Sequence, residues 1–396
     1  MNRSAGASRR AVVQGLGLAA ALPATVFAQQ PAAATATPPS VITNPPRQWG
    51  RYAPPTTYPD PDVVVVDPSF LPLRVGNNAI HRIATGFTWA EGPAWSSEGR
   101  YFVFSDVAGN TQYRVLWEDQ HVTPLRQPSN NSNGNSFDFQ GRQISCEHFT
   151  RRVVRWEHDG TMTVIADGYD GKKLNSPNDL APHPDGSIWF TDPPYGGQMS
   201  EGHPDEAGGP SNPQGLLNPR KGVTDIISGM RRELPNAVYR WDPSGHLDQV
   251  ITEDQLKDPN GICFSPDYKT VYVCSTGRGP GDSHSGGTRS IWAFDVQGNK
   301  AANGRDFLDM TADGVKVGPD GVRADVAGNL WCSANGPLGY AGVFVYNPQG
   351  KLIGRIRLPE VCANLCFGGP KRNHLFITAS QSIYLLMVNT QGAAPG

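Results

Sequence analysis

Six times along the chain one short pattern returns. A Glu, Asn or Asp, usually followed by Gly or Asp, leads into an apolar stretch, a Gly-containing turn and a second apolar stretch. The copies open at Glu91 (EGPAW), Asn133 (NGNSFDFQGRQISCEH), Asn178 (NDLAPHPDGSIWFTD), Asn260 (NGICFSPDYKTVYVCST), Asp320 (DGVRADVAGNLWCSAN) and Asn364 (NLCFGGPKRNHLFITAS). Both apolar stretches alternate with period two and are rich in Val, Ile, Phe, Tyr and Trp, and the turns between them carry hairpin chemistry. A further strand follows each hairpin, as in RVLWED, NAVYRWDPSG and GVFVYNPQG. A four-stranded unit returning about every 42 to 45 residues is a propeller blade. Six copies predict an all-β, six-bladed β-propeller. Two longer spacings are read as loop insertions, one rich in Gly, Pro and Asn over residues 198–233 and a smaller one at GRGPGDSHSGG. Too few strands follow Asn364 to complete a blade, so a strand from the region Val63 to Ala84 is expected to close the ring.

Composition agrees with a turn-rich β protein. The chain carries 45 Gly and 35 Pro, and its hydrophobic content of 38% is low for a helical core of this size. A formal charge of −2, with both signs scattered, gives no basic block for nucleic acid or an anionic membrane. Ser8-Arg9-Arg10 ahead of the apolar run from Gly15 to Ala24, with Val26-Phe27-Ala28 following, reads as a signal peptide of twin-arginine type over residues 1–28. That run is too short to cross a bilayer, and no insertion in the membrane is expected after cleavage. Residues 29–62, rich in Pro, Ala and Thr, read as a disordered linker, and 63–396 as the propeller domain. The expected location is the periplasm. The six cysteines are expected to be free and mostly buried. Cys362 and Cys366 lie roughly 13 Å apart along one strand, beyond bridging distance.

In a propeller the first strand of each blade faces the central channel, so the six leading polar residues should ring its axis at one end. The hairpin returns to that end and brings a second ring: Asp106, His148, Asp192, Ser275, Asn335 and Ser380. Glu91 and Asp320 are two anions facing one channel, which repel unless a cation holds them. Oxygen donors of this kind suit a hard divalent ion, Ca²⁺ above all, with Mg²⁺, Mn²⁺ or Zn²⁺ as alternatives. Asp192, in TDPPYG, reads better as an acceptor that organises its loop.

The motifs EGPAW, CEH, KKLNSPNDL, DGSIWFTDPPYG, DPNGICFSPD and GPDGVRADVAGNLW resemble those of the gluconolactonase and senescence-marker-protein-30 (LRE-like) family over about residues 85–390. The resemblance implies a six-bladed propeller with a divalent metal at the channel mouth, bound by Glu91, Asn260 and Asp320. Asn178 joins as a fourth ligand or positions water and substrate. It also implies hydrolysis of a sugar-acid lactone, with the metal polarising the carbonyl and Asp320 or the metal activating water. Asn133, His148 and Tyr195 are the candidates for holding substrate hydroxyls. The long insertion departs from the family pattern and bears on which lactone is accepted. No G-x-S-x-G sequence is present, against a Ser-His-Asp hydrolase. Two other readings stay open: a phosphotriester hydrolase on the same metal ring, and a propeller that binds a ligand without catalysis.

Overall fold

Period-two alternation produces strands whose two faces are both covered, because each sheet is packed between two others. The computed structural model describes residues 37–50, 53–198, 233–277 and 287–395. The leader at 1–28 and nearly all of the insertion expected at 198–233 lie outside these residues. From Pro38 on, the chain is one unit.

Among the described residues six large antiparallel sheets follow one another, each with its strands in chain order from the axis outward except for an N-terminal strand at the outer edge of blades 5 and 6. Blade 1 runs from Ala90–Ser96 to Val122–Arg126, and blade 2 from Ser132–Phe137 to Met162–Ala166. Blade 3 runs from Leu180–Pro182 to Leu247–Thr252, and blade 4 from Pro259–Phe264 to Lys300–Asp309. Blade 5 runs from Val322–Ala324 to Leu352–Arg357, and blade 6 from Cys362–Gly368 to Ser382–Met387. The first strands touch one another in cyclic order, blade 6 returning to blade 1, so the ring is closed.

Closure uses the N-terminal region in two places. His81–Thr85 pairs with Ser382–Met387 and supplies the outer strand that blade 6 lacks. Val63–Val65 pairs instead with Leu352–Arg357, as a fifth strand on blade 5. At the seam Phe102 of blade 1 stacks on Phe376 of blade 6, with centroids 4.0 Å apart and planes 7° from parallel.

The linker expected over residues 29–62 needs correction for its described part, which packs against the outer side of blades 5 and 6. Arg47 pairs with Asp60 at 2.8 Å and Asp62 at 3.4 Å, and Asp62 also meets Arg357 at 3.2 Å. Both carboxylates are buried, and Asp60 also accepts from the Ile80 amide at 2.9 Å. Trp49 sits edge-on to Tyr384 at 5.2 Å. Charge pairing and one aromatic anchor order a segment whose composition lacks alternation.

Apolar clusters fill five of the six blade interfaces. Between blades 1 and 2 the apolar patch is small, reduced to Ala94, Val103, Phe137 and their neighbours. There a polar network takes over. Asn135 Oδ1 accepts from Gln112, Gln143 and Ser145, and Arg126 donates to both glutamines. All six cysteines are free and buried.

Candidate metal centre

The six leading residues are buried at the axis: Glu91, Asn133, Asn178, Asn260, Asp320 and Asn364. At four of them, glycine at the next position (Gly92, Gly134, Gly261 and Gly321) is what lets the strands converge. Gly92 has φ +51, and a Cβ there would lie 2.0 Å from the Asn133 carbonyl oxygen of the neighbouring blade. At Gly261 a Cβ would lie 2.2 Å from the Asp320 carbonyl oxygen. Hydrogen bonds stitch the same contacts: Gly134 N to Asn178 O at 2.8 Å, Gly261 N to Asp320 O at 2.7 Å, and Gly321 N to Ala363 O at 2.9 Å.

Glu91 Oε2 accepts from the Gly92 amide at 2.6 Å. Burial, and after it the charge of Asp320, push the Glu91 carboxyl well above the ordinary carboxylate range, while Gly92 and the Asn364 side chain pull the other way. Two carboxylates in a low-dielectric channel cannot both stay ionised at ordinary cost without a counter-charge. Asp320 is fixed from three sides. Ser333 Oγ accepts from the Asp320 amide at 3.1 Å and from the Gly321 amide at 2.8 Å, and Asn335 Nδ2 donates to Asp320 Oδ2 at 3.4 Å.

Among the described residues, Asn260 Oδ1 and Asn335 Oδ1 are buried with no hydrogen-bond partner. A buried amide oxygen without a partner loses free energy unless something accepts its lone pairs. A hard cation does so, and its charge offsets that of Glu91 and Asp320. No three His, Cys, Asp or Glu side chains come together among the described residues, so a cation here needs these amide oxygens. The donor set fits a divalent ion.

The second ring resolves into latches and exceptions. Asp106 accepts from the amides of Thr88 and Trp89, and Asp192 from those of Asn175 and Ser176. Ser275 Oγ donates to Lys257 O at 2.8 Å and Ser380 Oγ to Val361 O at 3.3 Å. In all four blades the contact falls three residues before the ring residue and clamps the entry to the first strand. Asp192 is therefore a loop organiser, as its motif implies. Asn335 is the exception, since its side chain turns to Asp320.

His148 is fully buried, and burial lowers its pKa to about 3, so the ring is neutral at physiological pH. It packs against the backbone of Gly196, where a Cβ would lie 2.2 Å from His148 Cγ. Tyr195, in the short turn Tyr195–Gln198, donates to Gly277 O at 3.4 Å. The Tyr195–Gln198 turn thus touches His148 of blade 2 through Gly196 and Gly277 of blade 4 through Tyr195, and Asn133 stands on the ring itself. The repeat pattern does not announce the Asn335 contact, the bond of Asn364 to Glu91, or a buried ion pair between Asp179 and Arg323, at 3.0 Å. The signals were present: an Asp directly after Asn178, and an Arg among the apolar residues of a first strand.

A six-bladed propeller whose axis gathers two carboxylates and unpartnered amide oxygens is the class that fold and site define. Residues 89–381 match the model of the SMP-30/Gluconolactonase/LRE-like region, and the chain belongs to that family. It is 29% identical over 336 residues to a gluconolactonase of Zymomonas mobilis, covering 79% of this chain and 82% of that one. Its structure is similar to that of a gluconolactonase from Xanthomonas campestris, with a TM-score of 0.66 and 31% identity, covering 86% of this chain and 98% of the other. Regucalcin from Agrobacterium tumefaciens, described as a calcium-binding protein, superposes with a TM-score of 0.58 at 16% identity, over 78% of this chain and 94% of that one. At that identity the likeness concerns the fold alone.

Proposed function

We propose that this protein hydrolyses a sugar-acid lactone at the channel mouth, with a divalent cation, Ca²⁺ by preference, held by Glu91, Asn178, Asn260 and Asp320. The observation that carries the reading is the pairing of two buried, mutually repelling carboxylates with the unpartnered Asn260 Oδ1. Family membership and the gluconolactonase relatives support the substrate class. When bound, the ion would supply Lewis acidity toward the lactone carbonyl.

The rest is the work of side chains. Asp320, held by Asn335 through Oδ2, takes a proton from the attacking water as its oxygen bonds to the carbonyl carbon. The ring C–O bond then breaks, and the proton passes from Asp320 to the departing oxygen, giving an open-chain hydroxy acid. A neutral His148 can both donate and accept, which suits sugar hydroxyls, and Asn133 and Tyr195 complete that wall. The Arg-pair leader supports export to the periplasm by the twin-arginine route, and six free thiols suit a protein folded before export.

Hydrolysis of glucono-1,5-lactone followed by pH-stat, before and after chelation, tests the reading. Activity lost on chelation and regained with calcium is expected. Full activity after thorough metal removal would sink the cation role. Turnover of a phosphotriester but of no lactone would select the phosphotriesterase reading, and a bound cation without hydrolysis of either would select a binding propeller.

A further inference from the structure

Asp179 and Arg323 form an ion pair in the channel wall that the chemistry above does not use. The two stand 144 residues apart in sequence, Asp179 immediately before the first strand of blade 3 and Arg323 on that of blade 5, and both side chains are almost wholly buried. The geometry is bidentate: Arg323 Nη1 donates to Asp179 Oδ2 at 3.0 Å and Nη2 to Oδ1 at 3.3 Å. Arg323 Nη1 also reaches Val322 O at 2.8 Å and Ile262 O at 3.5 Å. Asp179 accepts in turn from the amides of Leu180 at 2.9 Å and Ile262 at 3.4 Å. Burial works against the guanidinium charge, but Asp179 more than offsets it and holds Arg323 above its ordinary pKa.

The placement relative to the ring is regular. Asp179 directly follows Asn178, Ile262 is two residues after Asn260, and Arg323 is three after Asp320. One ion pair thus ties together three successive first strands, each next to a different candidate ligand. Charge adds a second consequence, since Arg323 compensates a buried carboxylate that directly follows a candidate ligand. Without Arg323 the channel would hold three uncompensated carboxylates against one divalent ion.

We propose that Arg323 is a positioning residue for the cation site. Its fork on Asp179 holds Asn178, Asn260 and Asp320 at the spacing a divalent ion requires, and its charge cancels that of Asp179, leaving Glu91 and Asp320 to balance the ion. The inference rests on the reading that the ring binds a divalent cation. A buried pair of this kind is weak support for stability in itself, and its better attested use is to fix geometry. Groups that orient metal ligands from behind typically change affinity or activity by about 10- to 100-fold when altered.

The test compares wild type, Arg323→Lys and the double variant Asp179→Asn/Arg323→Met. Lysine keeps the charge and loses the planar fork. The double variant removes both charges together. Calcium and magnesium are titrated calorimetrically into chelator-stripped protein, and lactone turnover is measured at saturating calcium. Expected for both variants is calcium binding weakened about tenfold, a lower calcium-to-magnesium affinity ratio, and kcat down about tenfold with lactone KM within about twofold. A merely structural pair would lower the melting temperature and leave the affinity ratio and the kcat-to-KM split unmoved. Either variant folding with wild-type calcium affinity and selectivity overturns the inference. So does failure of both to fold in the presence of calcium, which would make the pair a determinant of the fold. If wild type itself binds neither ion, the cation reading fails, a result distinguishable from failure of the Arg323 role alone.

Discussion

Asn335 Nδ2 donates to Asp320 Oδ2 at 3.4 Å while its own Oδ1 is buried without a partner among the described residues. One amide thus steadies the proposed base with one end and leaves the other end free to accept. Replacement by Ala removes both contributions without changing the charge of the ring. The expected outcome is a fall in kcat of roughly 10- to 100-fold with KM little changed, the pattern of a group that matters in the transition state. Steady-state kinetics at saturating calcium check it, and wild-type kcat in Asn335→Ala would remove Asn335 from the catalytic account.

Asp320→Asn is nearly isosteric and keeps the Ser333 bonds, which are made to backbone amides. What it loses is the proton acceptor and one of two anions. Turnover should fall by at least about 10³-fold, within the range for loss of a central group, and calcium binding should weaken as well. Retained turnover would shift the base elsewhere.

Removing the cation should destabilise the fold, because Glu91 and Asp320 then face each other uncompensated. A ligand present at 100 times its Kd contributes about 2.7 kcal/mol, so excess calcium over chelator should raise the melting temperature by roughly 5 °C. Glu91→Gln should shrink that difference. A calcium-independent melting temperature would contradict a cation bound at the axis.

His148 gives the expected acid dependence. Its folded-state pKa is lowered to about 3 by burial, against an ordinary value of 6.5. The unfolded chain therefore takes up a proton below about pH 6.5 that the folded protein refuses. The stability contributed by the neutral ring is complete above that value and is lost progressively as pH falls toward 3. Between pH 7 and pH 5 the loss is about 2 kcal/mol at most. His148→Gln should lack this component, and parallel unfolding curves for the two proteins at pH 7 and pH 5 would rule it out.

The blades and the polar ring are legible because each is repeated: six copies put Glu91, Asn178, Asn260 and Asp320 at equivalent places in the sequence. The loop-organising role of Asp192 was legible for a similar reason, since it follows from a local motif. What escaped lies in contacts between distant positions. Arg47, Asp60, Asp62 and Arg357 order the N-terminal segment through pairs that span up to 295 residues, and no local alternation announces them. Val63–Val65 and His81–Thr85 are both plausible closing strands from composition, and only packing assigns the first to blade 5 and the second to blade 6. Asp179 and Arg323 escaped because each falls in a blade start where the repeat draws attention to its neighbour.

The glycine that follows four of the six ring residues links fold and site in a way a single methyl group can test. At Gly261 a Cβ would lie 2.2 Å from the Asp320 carbonyl oxygen, which accepts a hydrogen bond from the Gly261 amide at 2.7 Å. Gly261→Ala must therefore push apart the strands that carry Asn260 and Asp320. Gly245 is the control: its φ of +90 makes Ala strained there, yet nothing lies within 4 Å of the added Cβ. Strain alone costs about 1 to 2 kcal/mol, and forced overpacking typically 1 to 3 kcal/mol. Both variants should thus melt at lower temperature by comparable amounts. Only Gly261→Ala should also lose calcium affinity and turnover, because only there does the backbone that moves carry the ligands. Equal loss of activity in the two variants would mean that stability, not the closeness of the strands at the axis, sets the function of the site.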